Sequence, residues 1–193
     1  NSDGDWRDLR VRFESFNAPI VFSGERNCAP DVASALVYET VDAATRADPL
    51  PHLNSGSFMG KAGSLLLMLN EVMDDLSQHH TNIPGVGSLA DVDDQRWFTR
   101  FHLRHPTIAA IDTRGELFHS LHALPLGVLR IVDRGAEAEV GASGSTKTRG
   151  RSVSVHSNWT RTAPCFIHGN AGGREELARV TGLLKNDGWL PGA

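Results

Sequence analysis

A chain of 193 residues, 40% hydrophobic and 22% charged, is long enough for one domain with a sizeable core and sits in the ordinary range of soluble globular proteins. Its formal net charge of -4 gives no electrostatic reason to expect a nucleic-acid partner. No apolar run approaches the roughly 20 residues that cross a bilayer, and no charged-then-apolar leader opens the sequence, so any signal peptide is expected to be cleaved or outside it.

Residues 1–5 are polar and read as a loop or a cut end, after which Trp6, Leu9, Val11 and Phe13 mark a short helix with Asp5 as N-cap. Residues 19–23, Pro-Ile-Val-Phe-Ser, form a compact apolar run predicted as the first buried strand. Their polar continuation, 24–31, reads as a loop at the strand's carboxyl end, where open α/β sheets hold ligands. Residues 32–48 do not separate into helix and loop, and Pro49 and Pro51 close the segment. The stretch Leu53-Asn54-Ser55-Gly56-Ser57-Phe58-Met59-Gly60 predicts a strand end that turns sharply, with Gly56 and Gly60 admitting a close neighbour to the backbone. Tight packing and a polar ligand held on backbone amides both remain open there. Residues 62–76 carry the stripe Leu65, Leu69, Val72 and Leu76 of an amphipathic helix.

Residues 77–88 read as a polar connection whose pair His79-His80 belongs to a surface loop, because adjacent side chains diverge on regular structure. Asp91-Val92-Asp93-Asp94-Gln95 opens a helix through Trp97, Phe98, Phe101 and Leu103. Acidic residues in a first turn suit the helix dipole. Three carboxylates in four positions also suit a cation, a sugar-hydroxyl network or a catalytic base. His102 with His105, and His119 with His122, share a spacing that can face one metal. No Cys or carboxylate stands at ligand spacing, so they read as core or surface histidines. Residues 107–111 form a buried strand ending at Asp112, Leu117, Phe118 and Leu121 begin another apolar segment, and 128–132 make a further strand. Residues 141–152, rich in Gly, Ser and Thr, read as a hairpin tip, and Val153 and Val155 alternate as in a strand. Residues 164–167 are the last predicted buried strand. It runs into His168-Gly169-Asn170, a strand-end imidazole followed by glycines and well placed to face a ligand. Residues 175–185 form the closing helix, stopped at Asn186-Asp187-Gly188.

Cys28 and Cys165 are the only cysteines, and they are either buried thiols or one disulfide closing a long loop. Asn158-Trp159-Thr160 is an N-glycosylation sequon. Together they lean towards the secretory pathway or the cell exterior.

Four blocks lie in order: Val21-Phe22-Ser23-Gly24-Glu25 with Cys28 and Pro30-Asp31; Leu53-Asn54-Ser55-Gly56 with Phe58 and Gly60; Asp93-Asp94-Gln95 with Phe98-Thr99; and His168-Gly169-Asn170, with Ile111-Asp112 and Leu117-Phe118 between the last two. This set resembles the glycosyltransferase domain of the procollagen lysyl hydroxylases and their collagen hexosyltransferase relatives, from about Trp6 to Leu184. The resemblance implies a GT-A fold, a Rossmann-like α/β sandwich with a mixed sheet, and transfer of galactose or glucose from a UDP-sugar to a hydroxyl acceptor with Mn²⁺. It implies that His168 completes the manganese site and that Asp93 and Asp94 face donor sugar and acceptor. Asn54, Ser55 and Gly56 would lie beside the donor sugar, and Gly169 and Asn170 next to the diphosphate.

The family's aspartate-containing metal motif ends a strand just upstream of the segment matching Trp6 to Phe13. That motif and the preceding nucleotide-binding strands are therefore expected to lie before Asn1, leaving one domain over 1–193 as the C-terminal two-thirds of a GT-A domain. Asp3-Gly4-Asp5 has a DxD pattern but follows no apolar strand. Ala29 stands where relatives carry tryptophan, Ser57 where they carry glycine, Lys61 changes the turn that follows, and the long connection of 77–90 reads as an insertion. These departures keep a second reading open, a non-catalytic module of the same fold for extracellular assembly or glycan binding. The expected partners are a nucleotide-sugar donor, a protein or glycan acceptor and the remainder of a larger polypeptide.

Overall fold

The computed structural model describes residues 2–41, 47–79, 93–135, 137–140, 146–149 and 152–190. Its centre is strand β1 (Ile20–Glu25), every residue of which is buried. A strand covered on both faces needs apolar residues on both, and β1 supplies Ile20 and Phe22 to one side and Val21 to the other. On the first side lie α3 (Ala62–His79) and α4 (Asp94–Arg104), whose Met68, Val72, Trp97, Phe98 and Phe101 complete the main core. On the second side lies α1 (Ser2–Ser15), which with Phe16 just beyond its end brings Leu9 and Phe13 against Val21 and Phe118.

The five-stranded sheet is mixed. β2 (His52–Gly60) runs antiparallel along one edge of β1. Along the other edge, β3 (Ala109–Asp112) pairs in parallel with the first part of β1, and β4 (Phe118–Ser120) takes over beside Gly24. The handover is tied by Asp112, whose buried carboxylate accepts the backbone N–H groups of Glu116, Leu117 and Phe118 at 2.9, 2.6 and 2.9 Å. β9 (Phe166–His168) adds in parallel to β4 and closes that edge. A second, two-stranded sheet pairs β5 (Leu129–Arg134) with β8 (Ser152–Ser157), and α5 (Arg174–Asn186) packs on it through Val180 and Leu177. A hairpin of β6 (Glu137–Val140) and β7 (Thr146–Arg149) lies between them in sequence.

Several expectations are corrected. Residues 2–5 belong to α1, so Asp5 lies within the helix and does not cap it. β1 continues through Glu25, two residues into the segment predicted as loop. Residues 32–48 contain a 3₁₀ turn, Val32–Ser34, and α2 (Ala35–Val41), with 42–46 outside the described residues. Leu69 is 42% exposed, and the buried stripe of α3 runs through Leu65, Met68, Val72 and Leu76. α3 also extends to His79, while His80, Asp91 and Val92 lie outside the described residues, as does most of the predicted 77–88 connection. β9 is an edge strand, with Phe166 44% exposed and stacked on Phe118 at 5.5 Å. Residues 141–145, 150 and 151 of the predicted hairpin tip are likewise outside the description. Cys28 and Cys165 are separate thiols, not the halves of a disulfide. Among the described residues no helix is long and apolar enough to cross a membrane.

The predicted histidine pairs are accounted for by protein partners. His102 Nδ1 lies 2.7 Å from the Ala109 carbonyl and His105 Nε2 lies 2.9 Å from Glu71. His119 is buried between Ser157 Oγ and the Ser120 carbonyl, and burial lowers its pKa. His122 contacts Glu25.

Candidate functional site

Because β1, β4 and β9 are mutually parallel, their carboxyl ends share one rim, which carries Glu25, Ser120 and His168. β2 runs the other way, so its beginning reaches the same rim, with His52 opposite Glu25 and Asn54 opposite Ser23. Between Phe22 and Ser23, β1 advances one residue while β2 passes from Phe58 to Asn54. Ser55, Gly56 and Ser57 therefore have no partner on β1 and arch out of the ladder, a bulge that re-aims side chains at the sheet's rim. The predicted sharp turn is thus an arch within a strand that continues to Gly60, and not a strand end.

The first turn of α4 fills the space over the arch. Asp93 caps the helix, its Oδ1 accepting the Gln95 N–H at 3.0 Å. Exposed Asp94 accepts the hydroxyl of Ser55 at 2.8 Å. Gln95 turns inward and is buried. Its Oε1 accepts the Ser55 backbone N–H at 3.1 Å and Asn54 Nδ2 at 3.3 Å, while its Nε2 donates to Glu25 at 2.6 Å and to the Ala29 carbonyl at 2.9 Å. Arg96 forms a bidentate pair with Asp31, 2.8 Å for each bond, which fixes the 26–31 loop against the same helix.

Glu25 is the hub of this network. It is 1% exposed and receives Gln95 Nε2 on one oxygen, and Asn54 Nδ2 (3.0 Å) and His122 Nδ1 (3.3 Å) on the other. A carboxylate buried this deeply needs such donors to replace water. Asn54 carries the network outward, its Oδ1 accepting the Gly56 N–H at 3.1 Å and lying 3.2 Å from His168 Nδ1. The His168 ring rests on the Gly56 backbone so closely that a Cβ at Gly56 would stand 1.9 Å from its Cε1, far inside contact distance. Burial lowers the His168 pKa, against the raising effect of the Glu25 charge, and so favours the neutral imidazole.

Asp94, Asn54, Ser55, Gly56 and His168 therefore form one connected cluster. Asn170 stands beside it, its Oδ1 accepting the Ser120 hydroxyl at 2.9 Å. Gly169 faces inward, where a Cβ would press on Leu177 of α5. Asn158 is exposed on the turn after β8, away from this network. Sequence reasoning missed the roles of Glu25, Gln95 and His122. Glu25 had a signal, a lone carboxylate ending an apolar strand, but its donors come from β2, α4 and the turn after β4.

Among the described residues no three His, Cys, Asp or Glu side chains come together as a ligand set. His168 has donor chemistry in its ring, whose Nδ1 is engaged by Asn54. Beside the arch lies an open groove of about 410 Å³ lined by Gly56, Ser57, Phe58, Met59, Phe118 and Phe166.

Comparison with known proteins bears on the same span. A family model described as the PLOD GT domain matches residues 3–191. Among curated proteins, the chain is similar to a procollagen-lysine,2-oxoglutarate 5-dioxygenase of Drosophila melanogaster, 26% identical over 174 residues, which cover 88% of this chain and 20% of that relative. The chain thus spans about a fifth of the length of that relative.

Proposed function

The chain belongs to the PLOD GT domain family, a glycosyltransferase family whose GT-A-like α/β sandwich it shares, and on that premise we propose that it transfers galactose or glucose from a UDP-sugar to a hydroxyl acceptor on a protein or glycan. The observation that carries this reading is the convergence of Asp94, the Asn54–Gly56 arch and His168 on one rim of the sheet. In this reading 1–193 is a single unit, the C-terminal two-thirds of a GT-A domain and part of a larger polypeptide that works in the lumen of the secretory pathway. The exposed Asn158 sequon suits that compartment.

The chemistry follows from the residue types. Exposed Asp94 takes the proton of the acceptor hydroxyl as its oxygen bonds to the anomeric carbon. The bond from that carbon to the diphosphate breaks, and its electron pair leaves with UDP. Ser55, held by Asp94 and Gln95, fixes the arch beside the donor sugar, and Asn170 and Gly169 border the diphosphate. His168 would contribute a nitrogen to a divalent cation such as Mn²⁺, which would supply charge that offsets the departing diphosphate.

Hydrolysis of UDP-galactose and UDP-glucose by the full-length protein, with and without Mn²⁺, tests this. Asp94→Asn and His168→Ala should each lower the rate by about a hundredfold or more; unchanged rates in both would overturn the assignment. The departures at Ala29, Ser57 and Lys61 motivate a second reading, a non-catalytic module of the same fold. Calorimetric titration with UDP and Mn²⁺ separates the two, because such a module gives no metal-dependent heat.

A further inference from the structure

The amide orientations in the rim network are not free. Asn54 Oδ1 faces the Gly56 N–H, and Asn54 Nδ2 faces Glu25 Oε2 and Gln95 Oε1. Rotating the amide by half a turn would set an NH₂ against an N–H and an oxygen against two oxygens. Gln95 is locked in the same way, because its Oε1 meets the Ser55 N–H and its Nε2 meets the Ala29 carbonyl. Both locks trace to backbone groups, whose donor and acceptor roles cannot change.

Asn54 Oδ1 can only accept, so the proton of a neutral His168 must sit on Nδ1, at 3.2 Å from that oxygen. We infer that Asn54, clamped by Glu25 and Gln95, is a positioning residue that holds His168 as its Nδ1–H tautomer and so presents a bare Nε2 to a divalent cation. The ring plane is set by a separate contact, the imidazole lying against the Cβ-less Gly56. Tautomer and orientation are thus both built before any ligand arrives, as outer partners do for metal-binding histidines generally. This goes beyond a place for Asn54 beside the donor sugar, and it rests on the metal-assisted reading only in its choice of ligand.

The test uses full-length protein labelled with ¹⁵N-histidine. Two-bond proton–nitrogen correlation spectra at about pH 8, above the usual histidine range, read the tautomer directly, with His168 identified by its loss in His168→Ala. The expected result is Nδ1 protonated and Nε2 bare; the opposite tautomer in the wild type overturns the inference without any variant. Asn54→Ala, checked for folding by circular dichroism, should shift His168 towards Nε2–H and weaken Mn²⁺ binding, followed by water-proton relaxation, about tenfold or more. An unchanged tautomer in folded Asn54→Ala also overturns it. A wild type with the expected tautomer but no Mn²⁺ binding upholds the clamp and sinks the metal reading instead.

Discussion

At the scale of single residues, the rim is built by pairing unlike groups that must be inside. Glu25 has no lysine or arginine among its hydrogen-bond partners, and two amides and an imidazole satisfy it instead. The Glu25 charge also reaches His168, where it acts to raise the pKa against the effect of burial. Gly56 is the position with the least tolerance, since any side chain there meets the His168 ring. Gly56→Ala should cost about 1–3 kcal/mol, the usual range for overpacking, and, on the proposed metal-assisted reading, should weaken Mn²⁺ binding along with it. Urea denaturation and relaxation titration of the same sample check both halves. His168 was legible in the sequence because a strand-end imidazole before glycines is a local pattern. Glu25 was not, because what makes it important is donors that arrive from three other segments.

At the scale of elements, the acidic start of α4 divides its labour. Asp93 spends an oxygen on the helix cap, whereas Asp94 reaches across to Ser55 on β2. Asp93→Ala should therefore destabilise the protein by about 1 kcal/mol, as loss of a capping carboxylate does, and alter sugar transfer far less than Asp94→Asn. Denaturation midpoints and initial rates measured side by side separate the two; equal loss of rate in both would put Asp93 in the chemistry as well. Helix α3 illustrates a limit of periodicity. Leu65, Leu66, Leu67, Met68 and Leu69 are all apolar, so the pattern offers several stripes of equal merit. Packing against Phe22 and Trp97 chose the one through Met68 and left Leu66, Leu67 and Leu69 exposed.

At the scale of the whole molecule, the second sheet is fastened to α5 by a buried carboxylate. Glu176 accepts the backbone N–H groups of Gly127 (2.9 Å) and Leu129 (2.8 Å) and pairs with Arg179, which also donates to the Leu129 carbonyl. The Arg179 guanidinium, helped by those two N–H groups and opposed by burial, holds the Glu176 pKa down to about 2. A depressed folded-state pKa means stability that is fully present above the unfolded carboxylate range and lost as pH falls through about 2. The shift from 4.5 corresponds to roughly 3 kcal/mol. Glu176→Gln should lose about that much at neutral pH and almost nothing near pH 2, flattening the acid limb of the stability profile. Chemical denaturation over a pH series reads it; a parallel downward shift at all pH values would show that the carboxylate's charge is not what matters.

The sequence by itself determined the α/β class, the buried strand at 20–23, the helices after 62 and 93 and the closing helix, because each rests on neighbours a few residues away. It also marked Asp94, Asn54, Ser55, Gly56 and His168, since strand ends and helix starts are where polar residues interrupt an apolar pattern. Only the tertiary structure decided that the stretch around Gly56 is an arch inside β2, that β3 and β4 share one edge of β1, and that Glu25 joins all of these groups. Those outcomes depend on register and on which strands run parallel, which are set by contacts between residues distant in sequence, such as His168 and Asn54, 114 positions apart. Local pattern carries no information about such pairings; the buried polar groups that they must satisfy do.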